Sequence, residues 1–192
     1  MKKQVESLVT NELLITKSKF ITHLFPVSSL EDTKEKLSEY KKQYKDATHI
    51  CYSYILDENT FKYYDDGEPS STAGAPIYQV LNGHDLVYTM CVVIRYFGGT
   101  KLGVGGLVKA YSNSCIEALN KATLIDYQVL DSYRLIVNYS DYDKLEYFLK
   151  NSNIQIENKT FEEKVSVIIK VNKKSLETVQ DYFANVIKIL KL

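Results

Sequence analysis

"RYFGGTKLGVGGLVKAY", residues Arg95–Tyr111, places five glycines and three cations in seventeen positions, directly after the apolar run Met90–Ile94. The segment leading into it, "DLVYTMCVVIRYF" (Asp85–Phe97), is apolar on both faces in its second half, as a strand covered on both sides must be. After it, Leu107, Val108, Tyr111, Cys115 and Leu119 recur along one side of "GVGGLVKAYSNSCIEALNKATL" (Gly103–Leu124) at helical spacing. The stretch is therefore a turn from a central strand into a long helix. Such a turn leaves backbone N–H groups unpaired at the positive end of the helix dipole, where an anion is welcome. Arg95, Gly98, Gly99, Thr100, Lys101, Gly103, Gly105, Gly106 and Lys109 are the candidate nucleic-acid or phosphate-binding residues. Against this stands a plainer use of the glycines, to allow positive φ angles and close backbone packing.

Neither common nucleotide motif is present. A P-loop counted from Gly98 reaches Gly103 and then meets Val104 and Gly105 where Lys and Ser or Thr are required. A dinucleotide fingerprint counted from Gly103 passes Gly105 and meets Val108 in place of its third glycine.

Upstream, "NELLITKSKFITHLFPV" (Asn11–Val27) reads as a strand pair. "SSLEDTKEKLSEYKKQY" (Ser28–Tyr44) reads as an amphipathic helix with Ser29 and Asp32 as an acidic form of the capping box. "ATHICYSYILDENTFKYYDD" (Ala47–Asp66) gives two antiparallel strands, Thr48–Leu56 and Phe61–Tyr64, around the turn "DENT". "STAGAPIYQVLNGH" (Ser71–His84) gives a short helix with Pro76 in its first turn and Gly83 at its end.

After Leu124 the pattern restarts. "DYQVLDSYRLIVNYS" (Asp126–Ser140) is a strand, "DYDKLEYFLKNS" (Asp141–Ser152) a helix, "IQIENKTFEEKVSVIIKV" (Ile154–Val171) a strand pair, and "SLETVQDYFANVIKIL" (Ser175–Leu190) a final helix. This β-α-β-β-α order resembles a split βαβ, ferredoxin-like sandwich. All eight glycines lie between Gly67 and Gly106. The fold expected is α+β, with a first domain over 1–125 and a ferredoxin-like second domain over 126–192.

"YYDDGEPSS" (Tyr63–Ser71) collects Asp65, Asp66 and Glu68 around a turn, either as an acidic rim facing a partner or cation, or as ordinary turn chemistry. His49 and Cys51, two apart on a strand, face the same side and are the only arrangement reminiscent of a Cys–His nucleophile pair. No residue qualifies as catalytic. His23, His49 and His84 are scattered, and Cys51, Cys91 and Cys115 lack zinc spacing, so neither metal nor cofactor is expected.

Lys plus Arg equals Asp plus Glu, at 24 each, so no global field draws the chain to nucleic acid or anionic lipid; any such contact must be local. No apolar run approaches the about twenty residues of a membrane span, and no apolar signal core follows the first residues, which predicts a cytoplasmic protein with reduced thiols.

"DDGEPSSTAGAPIYQVL" (Asp65–Leu81) and "VVIRYFGGTKLGVGGLVKAYSNS" (Val92–Ser114), with "ATHICYSY" (Ala47–Tyr54), resemble the signature region of the IMPACT family, in its two-domain bacterial YigZ-like branch. The family's usual "EPSGTAG" stands here as "EPSSTAG", with Ser71 for glycine. The resemblance implies a first domain like the second domain of ribosomal protein S5 and a second like a ferredoxin-type elongation-factor domain. It also implies a role in translation, since the eukaryotic namesake is a translational regulator. The expected function is thus a translation-associated regulator meeting RNA or the ribosome through the glycine-rich loop. The rival is a small-molecule or phosphate-ligand enzyme using that loop with the acidic turn. A protein partner docking on the Ile- and Val-rich sheet of the second domain is a third expectation.

Overall fold

The computed structural model describes all residues from Met1 to Leu192, and the chain divides into two units, Met1–Tyr127 and Gln128–Leu192. The first unit runs β1 (Lys3–Val5), β2 (Val9–Ile15), β3 (Ser18–Pro26), α1 (Leu30–Gln43), β4 (His49–Ile55), β5 (Phe61–Tyr64), α2 (Gly74–Gly83), β6 (Thr89–Tyr96), α3 (Gly103–Asn120) and β7 (Leu124–Asp126).

Five of these strands form one antiparallel sheet in the order β2-β3-β6-β4-β5, with β1 and β7 paired separately. β6 is central, as its two-sided apolar run requires. Alternation divides its side chains between two cores. Met90, Val92 and Ile94 join Phe25, Ile50, Tyr52 and Tyr54 beneath α1, which contributes Leu37 and Tyr40, with Tyr44 just past its C-terminal end. Cys91 and Val93 join Phe20, Leu24 and Cys51 beneath Ile77 and Leu81 of α2 and Leu107, Tyr111 and Cys115 of α3. Helix α1 starts where its capping pattern predicts. Ser29 Oγ accepts from the Asp32 amide at 3.1 Å, and the Asp32 carboxylate accepts from the Ser28 amide at 2.8 Å.

The second unit runs β8 (Asp131–Val137), α4 (Tyr139–Asn151), β9 (Ile156–Phe161), β10 (Val165–Val171), α5 (Lys173–Tyr182) and β11 (Lys188–Lys191). Its antiparallel sheet has the order β11-β8-β10-β9, the arrangement of a ferredoxin-like sandwich. The fold is α+β throughout. The final helix is shorter than its apolar spacing predicts. It ends at Tyr182, Asn185 turns the chain at φ 67°, and Lys188–Lys191 becomes an edge strand on β8. Val165, Val167, Ile169 and Val171, one alternating row of the Ile- and Val-rich sheet, form the buried side of β10, packed with Leu145 and Leu149 of α4 and Leu176 and Val179 of α5. Half-covered strands bury their most regular apolar row. No helix is long and apolar enough to cross a membrane.

Candidate functional site

Strand register brings the candidate segments to one end of the five-stranded sheet. Arg95, near the end of β6, lies between Phe20 at the start of β3 and His49 at the start of β4. The β2–β3 turn, Thr16 and Lys17 with φ of 47° and 66°, is at this end, as is the segment after β5 that holds Asp65, Asp66 and Glu68.

The glycine-rich loop leaves β6 against that β2–β3 turn. A Cβ at Gly98 would stand 2.0 Å from the carbonyl carbon and oxygen of Lys17, so only glycine fits. The Gly98 amide donates to Ser18 Oγ at 3.1 Å, and the Phe97 amide to Thr48 Oγ1 at 3.0 Å. Gly99 and Gly103 hold φ of 86° and 70° and steer the chain into α3. The plainer use of glycine thus accounts for these three. Gly105 is different: its φ is not positive, and a Cβ there would meet nothing within 4 Å. No side chain caps α3, whose first turn is exposed from Gly103 to Gly105. Thr100, Lys101 and Lys109 are exposed around it, Gly106 is half-buried, and Lys17 is exposed on the neighbouring turn.

Arg95 does not belong to that surface. Strand alternation continues through Tyr96 and turns the Arg95 side chain inward, toward α3, where it is 4% exposed. Its Nη1 donates to Glu68 Oε1 at 2.6 Å, and Nη2 reaches Ser18 Oγ at 3.4 Å. Nε has no partner. The guanidinium lies between the rings of Phe20 and Phe97, 5.4 Å and 5.5 Å from their centroids.

The acidic turn likewise faces inward and forms no rim. Glu68 is buried, and its Oε1 also accepts from the Tyr111 hydroxyl at 2.7 Å, while His49 Nε2 lies 3.9 Å from Oε2. Asp65 accepts from the amides of Ser71, Ala73 and Gly74 at 2.8, 3.0 and 2.8 Å and so caps α2. Asp66 accepts from the Ile50 amide at 2.6 Å, and its carbonyl receives His49 Nδ1 at 2.7 Å. These carboxylates are occupied by backbone amides and buried side chains. No cluster of His, Cys, Asp and Glu has the geometry to hold a metal ion.

His49 and Cys51 do share a face of β4, but they form no couple. The Cys51 thiol donates to the Asp65 carbonyl at 3.0 Å and lies 3.4 Å from the Tyr111 hydroxyl. Burial pushes it far above the ordinary thiol range, so it stays protonated and is a poor nucleophile. The partners that sequence reasoning missed, Ser18 and Tyr111, come from distant segments and carry no local signal beyond being polar at positions that alternation assigns to the core.

Residues 16–119 match the family model of the Impact N-terminal domain, and residues 135–186 match a domain of unknown function, DUF1949. An IMPACT family member from Bacillus subtilis, YvyE, is 37% identical over 174 residues, covering 90% of this chain and 80% of the relative. The chain belongs to the IMPACT family. A second IMPACT family member, YigZ of Escherichia coli, is 34% identical over 77% of this chain and 74% of its own. A crystal structure described as that of a hypothetical protein superposes with a TM-score of 0.77 at 28% identity, covering 100% of this chain and 98% of that one. The IMPACT N-terminal match contains both the loop and the whole network from Ser18 to Tyr111.

Proposed function

We propose that this IMPACT-family chain is a translation-associated regulator that contacts RNA or the ribosome through the exposed start of α3. Gly99, Thr100, Lys101, Gly103, Gly105, Gly106 and Lys109 carry the contact, with Lys17 beside them. Arg95 and Glu68 act beneath the loop, through Ser18, which holds the Gly98 amide. The observation that carries this reading is Gly105. A glycine costs up to about 1 kcal/mol relative to alanine in a helix interior, and Gly105 stands in the first turn, where that figure is the upper bound. Here neither a positive φ nor crowding requires it. Close approach of a phosphate to the uncapped amides does. The link to translation rests on family membership.

Gly105→Ala tests this directly. The variant should be more stable by about 0.5–1 kcal/mol in urea denaturation, yet bind structured RNA or ribosomes more weakly. Lys101→Ala should weaken the same binding and flatten its dependence on salt. Undiminished binding by both variants overturns the proposal.

A second reading is favoured by the contact between Arg95 and Glu68, which joins the loop strand to the acidic turn. On that reading the α3 start holds a phosphorylated small molecule. A thermal-shift screen of nucleotides and phosphorylated metabolites separates the two, since a ligand specific to the folded state raises the melting temperature.

A further inference from the structure

The second unit has one sheet face that its own helices leave uncovered. The pairing register assigns to it Lys188 and Leu190 of β11, Ser132, Arg134 and Ile136 of β8, Ser166, Ile168 and Lys170 of β10, and Asn158 and Thr160 of β9. Lys188 stands opposite Ile136, Leu190 opposite Arg134, Arg134 opposite Ile168, and Ser132 opposite Lys170. Moving across the sheet from β11 to β8 to β10, each cation is therefore one step further along its strand. Lys188, Arg134 and Lys170 form a straight diagonal. With strands about 4.8 Å apart and about 6.8 Å between same-face residues, each step is about 8 Å. All three are exposed. The unit's ion pairs, Lys159 with Glu146 and Lys191 with Asp131, use none of them. Beside the diagonal, a depression of about 500 Å³ is lined by Arg134, Ile136, Ser166 and Ile168 and, at its acidic side, by Glu162 and Glu163, while Glu157 accepts from Ser132 Oγ at 3.4 Å on the same face.

We propose that this face binds the sugar–phosphate backbone of single-stranded RNA, with successive phosphates tracking Lys188, Arg134 and Lys170. Evenly spaced, unpaired cations suit a polyanion with regular charge spacing, and long side chains adapt an 8 Å ladder, about that of the sheet geometry, to the strand. The Ser166 and Thr160 hydroxyls both donate and accept hydrogen bonds, as ribose hydroxyls require, and Asn158, whose Oδ1 takes the Lys159 amide at 2.8 Å, keeps its NH2 to donate. Arg134, at the centre, offers a planar guanidinium on which a base stacks. An extended acidic peptide fits less well. Such a peptide gains its affinity from main-chain bonds at a sheet edge, whereas Arg134 and Lys170 lie on the two interior strands. The choice of RNA as the polyanion rests on the function proposed above; the cationic ladder does not.

The test uses the full chain and a fluorescent twelve-residue oligouridine. The triple variant Arg134→Gln, Lys170→Gln, Lys188→Gln changes only exposed side chains and should keep the wild-type melting temperature. Its slope of log affinity against log salt should be shallower by about 2, at about 0.7 per lost phosphate contact on a single strand. In wild-type protein, the methyl resonances of Ile136 and Ile168 should shift on RNA addition while those of buried Val167 and Leu135 stay in place. Wild-type affinity and slope in the triple variant overturn the proposal. So does a polyglutamate peptide that moves the Ile136 and Ile168 methyls when RNA does not. A Lys101→Gln, Lys109→Gln variant separates the two surfaces. If it alone loses affinity, the sheet face fails and the α3 contact stands; if the triple variant alone loses affinity, the reverse holds.

Discussion

Ser71 shows how a single substitution is absorbed. It occupies the position where the family pattern has glycine, yet its backbone holds φ of 60°, in the left-handed region. Its amide must point there to donate to Asp65 Oδ2 at 2.8 Å, one of three amides that the carboxylate gathers at the start of α2. The left-handed conformation costs a residue with a Cβ roughly 1–2 kcal/mol, against a smaller gain from the stiffer unfolded chain. Ser71→Gly should therefore stabilise the first unit by about 0.5–1 kcal/mol, read as a rise in the urea midpoint; a fall would show that the serine side chain contributes more than its backbone costs. The position of this turn is legible in the sequence, because Asp, Gly, Pro and Ser in that order are turn residues. The inward orientation of its carboxylates is not. An exposed acidic turn and a set of buried caps have the same composition, and only the three-dimensional approach of the Ile50, Ser71, Ala73 and Gly74 amides separates them.

At the scale of elements, the Arg95–Glu68 pair ties together parts that secondary structure alone leaves separate. Arg95 belongs to β6, Glu68 to the segment between β5 and α2, Tyr111 to α3 and Ser18 to β3, and all four are buried. Removing one partner of such a pair leaves an unpaired buried charge and costs about 3–5 kcal/mol, whereas replacing both with apolar residues costs much less. Arg95→Met should lower the stability of the first unit by that amount in denaturant titration, and adding Glu68→Met should restore part of it. Equal losses in the single and double variants would mean that Glu68 is held chiefly by Tyr111 and His49. Period-based reading finds β6, α3 and the β4–β5 pair because each carries several turns or alternations of apolar pattern. It misses β1 and β7, three residues each, and β11, four residues whose pairing with β8 is decided by tertiary contact. It places Arg95 at the loop surface because the loop's composition begins there, although the strand and its alternation run one residue further.

At the scale of the whole molecule, stability rests on separate cores, and one of them contains a titrating group. His23 is buried on β3 against α1, its Nε2 3.0 Å from the Tyr44 hydroxyl and Nδ1 3.3 Å from Thr10 Oγ1, with the Tyr40 ring at 4.8 Å. Burial disfavours the charged imidazolium and lowers its pKa from the ordinary value of 6.5. The unfolded chain therefore takes up the proton first as pH falls. The stability linked to neutral His23 is complete above about pH 6.5 and declines as pH drops below it toward the lower value of the folded state. Asp57 and Glu146, whose carboxyls hydrogen bonding holds below the ordinary range, do not add to this fall, because they titrate in more acidic solution. Urea midpoints should thus fall between pH 7.5 and pH 5.5 in the wild-type chain. In His23→Gln, which keeps hydrogen-bonding capacity near Tyr44 and Thr10 without a titrating ring, the fall over that interval should be smaller even if the variant is less stable at both pH values. An equal fall in the two proteins would assign the acid sensitivity to groups other than His23.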